Sequence, residues 1–232
     1  MECTSPCSDQ ISTDYELYHK LQEEFFSCEL DKLDEFITEK KIQLMNQTDF
    51  DNRCVVHWCV SNNDKIRLLA LLMHGFSVDP RDELSWTPLH IATASCYIDL
   101  VHVLLSYNAD PTLRTDCSLN TALHIAINKS NAKIVDMIIK IADKKILNIK
   151  NATGLDPLVL SVHVGVPCIT QLLLPHYSQK KINIYKLIDV AIENVNYDML
   201  NLLLNLNIAT VDRIETSNIS DRTILELIKN HA

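Results

Sequence analysis

One short phrase returns along this chain at a nearly constant interval, and that period limits the fold more than any other feature. "WTPLHIA" at 86–92 is its fullest copy, and "VVHWCV" at 55–60, "TALHIAI" at 121–127 and "GLDPLVLSVHVG" at 154–165 are paler ones. Set on the central apolar position, the copies align at Val56, Leu89, Leu123 and Leu158, so the steps are 33, 34 and 35 residues. A unit of that length holds one supersecondary motif, which cannot bury its apolar face alone. The copies must therefore stack on one another.

Each part of the best copy, "SWTPLHIATASCYIDLVHVLLSYNADP", has a mechanical reason. Thr87 is a helix-capping type whose hydroxyl can accept a free N–H of the first turn. Pro88 follows at the first helical position, where its missing N–H costs nothing. Leu89, Ile91 and Ala92 begin an apolar face. Ile98, Val101, Leu104 and Leu105 repeat at the spacing of a second helix. Asn108, and Gly75 one copy earlier, stand where a helix end wants a left-handed residue. With only three glycines against 18 asparagines, asparagine is expected at several such positions.

A Thr-Pro-Leu-His-x-Ala core at this period resembles the ankyrin repeat. The resemblance implies an all-α solenoid of about seven helix-turn-helix repeats with short hairpin loops. Read onto the chain, repeats are expected at about 15–48, 49–81, 82–115, 116–150, 151–182, 183–217 and 218–232, behind a mobile tail at 1–14. "YELYHKLQEEFFSCELDKLDEFITE" (15–39) and "DRTILELIKNHA" (221–232) are the atypical ends, which must present a polar face to water.

The hydrophobic share of 47% and charged share of 22% supply a core and argue against wholesale disorder. Eight cysteines are scattered without a CxxC pair, and Glu2, Asp9 and Asp14 stand where a secretory leader would be basic and then apolar. No run reaches the 18 or so apolar residues of a membrane span. Reduced thiols and a cytoplasmic or nuclear location are the expectation, without membrane association. The net charge of −9 is uneven: residues 1–52 hold 13 acids and 4 bases, while 53–232 hold 17 of each. No basic stripe suits a nucleic acid, and one modest lysine cluster occupies 129–150.

His57, His90 and His124 recur in register. One histidine per repeat at a helix start is explained by a ring that hydrogen-bonds loop backbone, without any metal. Cys59 lies two residues after His57 on one helix, so the pair cannot work together as nucleophile and base. No nucleophile elbow, phosphate loop or kinase signature occurs. A non-enzyme without metal or cofactor is expected.

What remains is contact chemistry. Trp58 is expected on the side of its helix that lines the concave groove, and Trp86 on the hairpin before the next helix; exposed aromatics anchor partners. Charges precede each unit: Asp49, Asp51 and Arg53, then Arg81, Asp82 and Glu83, then Arg114 and Asp116, then Lys150. Such a row suits a charge-reading edge that binds another protein.

Two adjacent units carry a narrower likeness. "DFDNRCVVHWCVS" (49–61) followed by "DELSWTPLHIATA" (82–94) resembles the second and third repeats of the gankyrin family. Arg53, His57, Trp58, Trp86, Pro88, His90, Ile91 and Ala92 fall on matching positions, whereas Ser85 stands where that family has Gly. The resemblance implies a chaperone of proteasome regulatory-particle assembly, monomeric when free, that binds the C-terminal domain of one proteasomal ATPase. The alternative is an ankyrin scaffold or pathogen effector with a different regulatory partner.

Overall fold

A computed structural model describes residues 18–177, 183–206 and 221–230. Those residues are helical with no strand, as the all-α expectation requires. The expected tail at 1–14, with Cys3 and Cys7, and the stretch 207–220 of the last two expected repeats lie outside them. The helices are α1 (18–27), α2 (Leu33–Asn46), α3 (Val55–Ser61), α4 (Lys65–Met73), α5 (Pro88–Ala94), α6 (Ile98–Ser106) and α7 (Ala122–Asn128). They continue as α8 (Ala132–Ile141), α9 (Pro157–Val164), α10 (Pro167–Leu173), α11 (Ile184–Glu193), α12 (Tyr197–Asn205) and α13 (Arg222–Asn230).

The repeated phrase makes the repeated start. At α5 the Thr87 hydroxyl accepts the N–H of His90, while His90 Nδ1 accepts the N–H of Thr87 (3.1 Å). Thr121 and His124 do the same at α7, with 3.3 Å for the ring contact. At α3 Cys54 takes the threonine's place, its N–H donating to His57 Nδ1 (3.2 Å). These short helices need such caps, since seven residues barely outlast helix nucleation. Asp156 serves α9 instead, its Oδ1 accepting the N–H groups of Leu158 and Val159.

The turn into each second helix is left-handed at Asn63, Cys96, Ser130, Gly165 and Val195. An Asx side chain then caps the second helix at Asp64, Asn131 and Asn196. Among the described residues asparagine holds the left-handed positions at Asn52, Asn63 and Asn108, while Ser85, Cys96, Leu119, Ser130 and Val195 hold others. The stack imposes that φ whatever the residue, and burial on either side offsets a strain of about 1–2 kcal/mol per position.

The chain divides into two units, Met1–Cys117 and Ser118–Ala232. In the first, α3 packs on α5, each pairs with its own second helix, and α2, α4 and α6 form the outer row. Phe25, Leu68, Leu71, Leu89, Leu100 and Leu104 are fully buried between the rows. Arg67 of α4 fastens the first helix: its guanidinium donates to the carbonyls of Phe25 (3.2 Å), Phe26 (3.0 Å) and Cys28 (2.7 Å) and pairs with Asp64 (2.7 Å). In the second unit α7, α9 and α11 form the inner row and α8, α10 and α12 the outer one, with α13 against α12. Leu123, Ile127, Ile134 and Ile138 are among its fully buried residues, each worth about 1.5–3 kcal/mol.

Candidate functional site

Asp49 builds the first hairpin of the first unit. Its Oδ1 accepts the N–H groups of Asp51 (3.0 Å) and Arg53 (2.7 Å), and its own N–H donates to the Arg53 carbonyl (3.0 Å). Asp82 repeats the device one period later, accepting from Leu84 (3.0 Å) and Trp86 (2.7 Å). The hairpins are then joined edge to edge, Glu83 N–H donating to the Asp51 carbonyl (2.8 Å) and Asp116 N–H to that of Leu84 (3.1 Å). Sequence reasoning took Asp49 and Asp82 for surface charge. Asp82 is only 6% exposed, because a carboxylate that accepts two backbone N–H groups must sit inside its own turn.

The guanidinium of Arg53 spans the two hairpins, 3.3 Å from Asp51 and 3.6 Å (through Nε) from Asp82. Beside it the half-buried Trp86 ring and the exposed Leu84 wall a notch of about 350 Å³ that Ile91 and Ala94 of α5 complete. Leu84, 52% exposed at a hairpin tip, was missed in the sequence. The signal for it, an apolar residue two after the turn-forming Asp, becomes readable only once the hairpin is known. Glu83, Arg81, Arg114 and Asp116 are exposed. Residues 1–117 carry 20 Asp and Glu against 9 Lys and Arg, a net −11, so this edge sits on an acidic body.

Trp58 requires a correction. It is 4% exposed, edge-on against Tyr18 of α1 with ring centroids 4.6 Å apart, so it faces the core and not an open groove. Its indole N–H is buried without a hydrogen-bond partner. Lys150, in the second unit, is exposed at the foot of the hairpin that Asn151 closes by accepting the N–H groups of Thr153 and Leu155.

The periodic histidines hydrogen-bond loop backbone. Nε2 of His57, His90 and His124 donates to the carbonyls of Trp86 (3.1 Å), Leu113 (3.1 Å) and Leu155 (3.2 Å), each in the next hairpin segment. Burial holds His57 and His124 below the ordinary imidazole range, although the accepting carbonyls pull the other way. Burial pushes the Cys59 thiol well up, which deprives it of thiolate. Among the described residues no three His, Cys, Asp or Glu side chains gather as metal ligands, and no helix is long and apolar enough to cross a membrane.

The family model for ankyrin repeats matches residues 27–115 and 56–148. The chain belongs to the ankyrin-repeat family. Inversin of Gallus gallus is 30% identical over 129 residues, 55% of this chain and 11% of its own length. An ankyrin repeat protein of fowlpox virus (strain NVSL) is 32% identical over 88 residues, 36% of this chain and 26% of the viral one. Protein phosphatase 1 regulatory subunit 27 of Mus musculus is 30% identical over 88 residues, 38% of this chain and 56% of its own. The chain thus spans little more than half the length of even the last. Ankyrin repeats are non-catalytic modules that bind other proteins, and the hairpin edge of the first unit is where this one offers charge and an aromatic ring together.

Proposed function

We propose that this ankyrin stack is a chaperone of 26S proteasome regulatory-particle base assembly, holding the C-terminal domain of one proteasomal ATPase subunit. The observation that carries the reading is Arg53, clamped between Asp51 and Asp82 beside the half-buried Trp86. These residues occupy the two units that resemble gankyrin, and they place two hairpins in a fixed mutual register. Ser85, the departure from that pattern, stands at φ 59°, a left-handed position that glycine fills without strain. The fold is therefore the same with either residue. Asp51, Arg53, Arg81, Glu83, Trp86, Arg114 and Asp116 are the proposed contact set of the first unit, presented by the hairpins that Asp49 and Asp82 hold from within, and Lys150 is the candidate of the second unit taken by itself. Trp58 contributes by holding α1 in place. Assembly of the regulatory particle puts the chain in the cytoplasm or nucleus.

The test is binding of the purified chain to the isolated C-terminal domains of the six proteasomal ATPases at low and moderate salt. Selective binding to one domain, weakened by salt and lost in a folded Arg53→Glu/Trp86→Ala variant, supports the chaperone reading. A second reading, an ankyrin scaffold or viral-type effector with another regulatory partner, has the fowlpox and phosphatase-subunit relatives in its favour. Binding to none of the six domains leaves that second reading in place.

A further inference from the structure

We propose that the first unit carries a second recognition pocket, under its hairpin edge, which takes one apolar side chain of about phenyl size from a partner segment with a carboxylate close by. The proposal rests on the protein-binding reading but uses different residues from the Arg53 and Trp86 notch.

The cavity holds about 210 Å³ and lies where three stretches meet: the end of α2, the start of α3 and the loop after α4. Leu44, Val56, Phe76 and Pro80 make its walls apolar. An apolar cavity of about 150 Å³ is already enough for a benzene-sized group. Cys54 lines it where the other copies carry Thr87 and Thr121, so a thiol replaces a hydroxyl at that point of the wall, with Thr48 and Ser77 as neutral polar neighbours. Burial raises the pKa of that thiol, which keeps the wall uncharged.

The mouth is different. Met45, half exposed, flanks it, and Arg81 stands exposed at the rim. Among the described residues no carboxylate lies within ion-pair distance of Arg81, and its influence on Asp79 is longer-ranged. Asn52 Nδ2 donates to the Arg81 carbonyl (3.3 Å) and fixes the backbone there. An unpaired cation above an apolar hole fits a segment that presents an apolar side chain next to an acid. Asn52 and Arg81 belong to the hairpin edge as well as to the pocket, so a partner lying along that edge meets the pocket without leaving it. Free small carboxylates and a second copy of this chain are the other candidate occupants.

The experiment titrates the ¹⁵N-labelled full chain with 3-phenylpropanoate and, in parallel, with 2-phenylethylammonium. Saturable shifts of the Cys54, Phe76 and Arg81 amides are expected at about millimolar probe, as befits so small a ligand. The carboxylate should bind about two- to fivefold tighter, the range of an exposed ion pair. Arg81→Glu should reverse that preference, and Ser77→Trp, at the exposed rim, should abolish both titrations. Shifts that do not saturate, or a carboxylate preference unchanged by Arg81→Glu, overturn the pocket. Self-association that either variant abolishes makes a second copy the occupant and overturns the partner assignment. Probe binding without capture by any ATPase domain supports the pocket and counts against the chaperone. Capture of an ATPase domain that Ser77→Trp leaves intact refutes the pocket as a contact and spares the chaperone.

Discussion

His57 Nε2 donates across 3.1 Å to the carbonyl oxygen of Trp86, reaching from the first helix of one repeat to the hairpin of the next. On its other side Nδ1 accepts the N–H of Cys54. Only a neutral ring protonated at Nε2 can make both bonds. His90 and His124 make the same pair of bonds, so three buried rings share one required tautomer.

A pH dependence follows for the two rings that burial holds below the ordinary value of 6.5, His57 and His124. The unfolded chain takes up protons near pH 6.5 and the folded chain resists them. Stability is therefore complete above that pH and falls as the pH drops through the window beneath it. The slope reaches up to about 1.4 kcal/mol per pH unit for each ring. Urea denaturation at a series of pH values between 7.5 and 5 measures it. A midpoint that does not move over that range contradicts the assigned tautomer.

Trp58→Phe should leave stability within about 1 kcal/mol, because it removes a buried N–H that has no acceptor along with some ring area. Trp58→Ala should cost about 3–5 kcal/mol. A large loss of partner binding in a stable Trp58→Phe protein would mean that the indole is reached by the partner after all.

Val195→Gly should stabilise the second unit by about 0.5–1 kcal/mol. A β-branched residue at φ 51° carries left-handed strain that glycine lacks, less glycine's extra entropy in the unfolded chain. Gly165→Ala should destabilise by at least about 1 kcal/mol. Its backbone sits at φ 78°, and the new Cβ would collide with Asn196 Nδ2. Opposite signs for the two substitutions in thermal unfolding are the expected result.

Arg67→Ala should cost about 2–4 kcal/mol, since it orphans three carbonyls at the end of α1 and leaves Asp64 without its cation. Hydrogen exchange should show protection lost first in 18–27. Arg67→Lys should not restore it, because one ammonium cannot span three acceptors as a guanidinium does. Uniform loss of protection across the first unit would argue against a local fastening.

The helices around Leu89 and Leu123 were legible because cap, proline and apolar spacing lie within a few residues of one another. The histidines' role was legible for the same reason, since periodicity reports what every copy must do. Trp58 was misplaced because Tyr18, the ring that covers it, lies 40 residues earlier in a repeat without the motif. The grip of Arg67 on α1 is equally remote in sequence. Leu119 and Val195 were not expected in left-handed backbone, because their own preferences oppose it and only the stacked neighbours demand it. The pocket under the hairpins draws one wall from each of three segments, a coincidence that no local pattern announces.

The rings that reach from repeat to repeat also bear on how such a chain can change in length over evolution. Each imidazole must find a carbonyl at a fixed distance in the following hairpin, so residues gained or lost inside a helix would pull donor and acceptor apart. A hairpin tip lies outside that span. There the left-handed residue falls three positions after Asp49, Asp82 and Asn151 but four after Thr115, an added residue absorbed where no ring has to reach. Insertions and deletions that survive in relatives of this chain should therefore gather at the tips, which are also the surface proposed to meet a partner. Drift in length and drift in specificity would then occur at the same few positions.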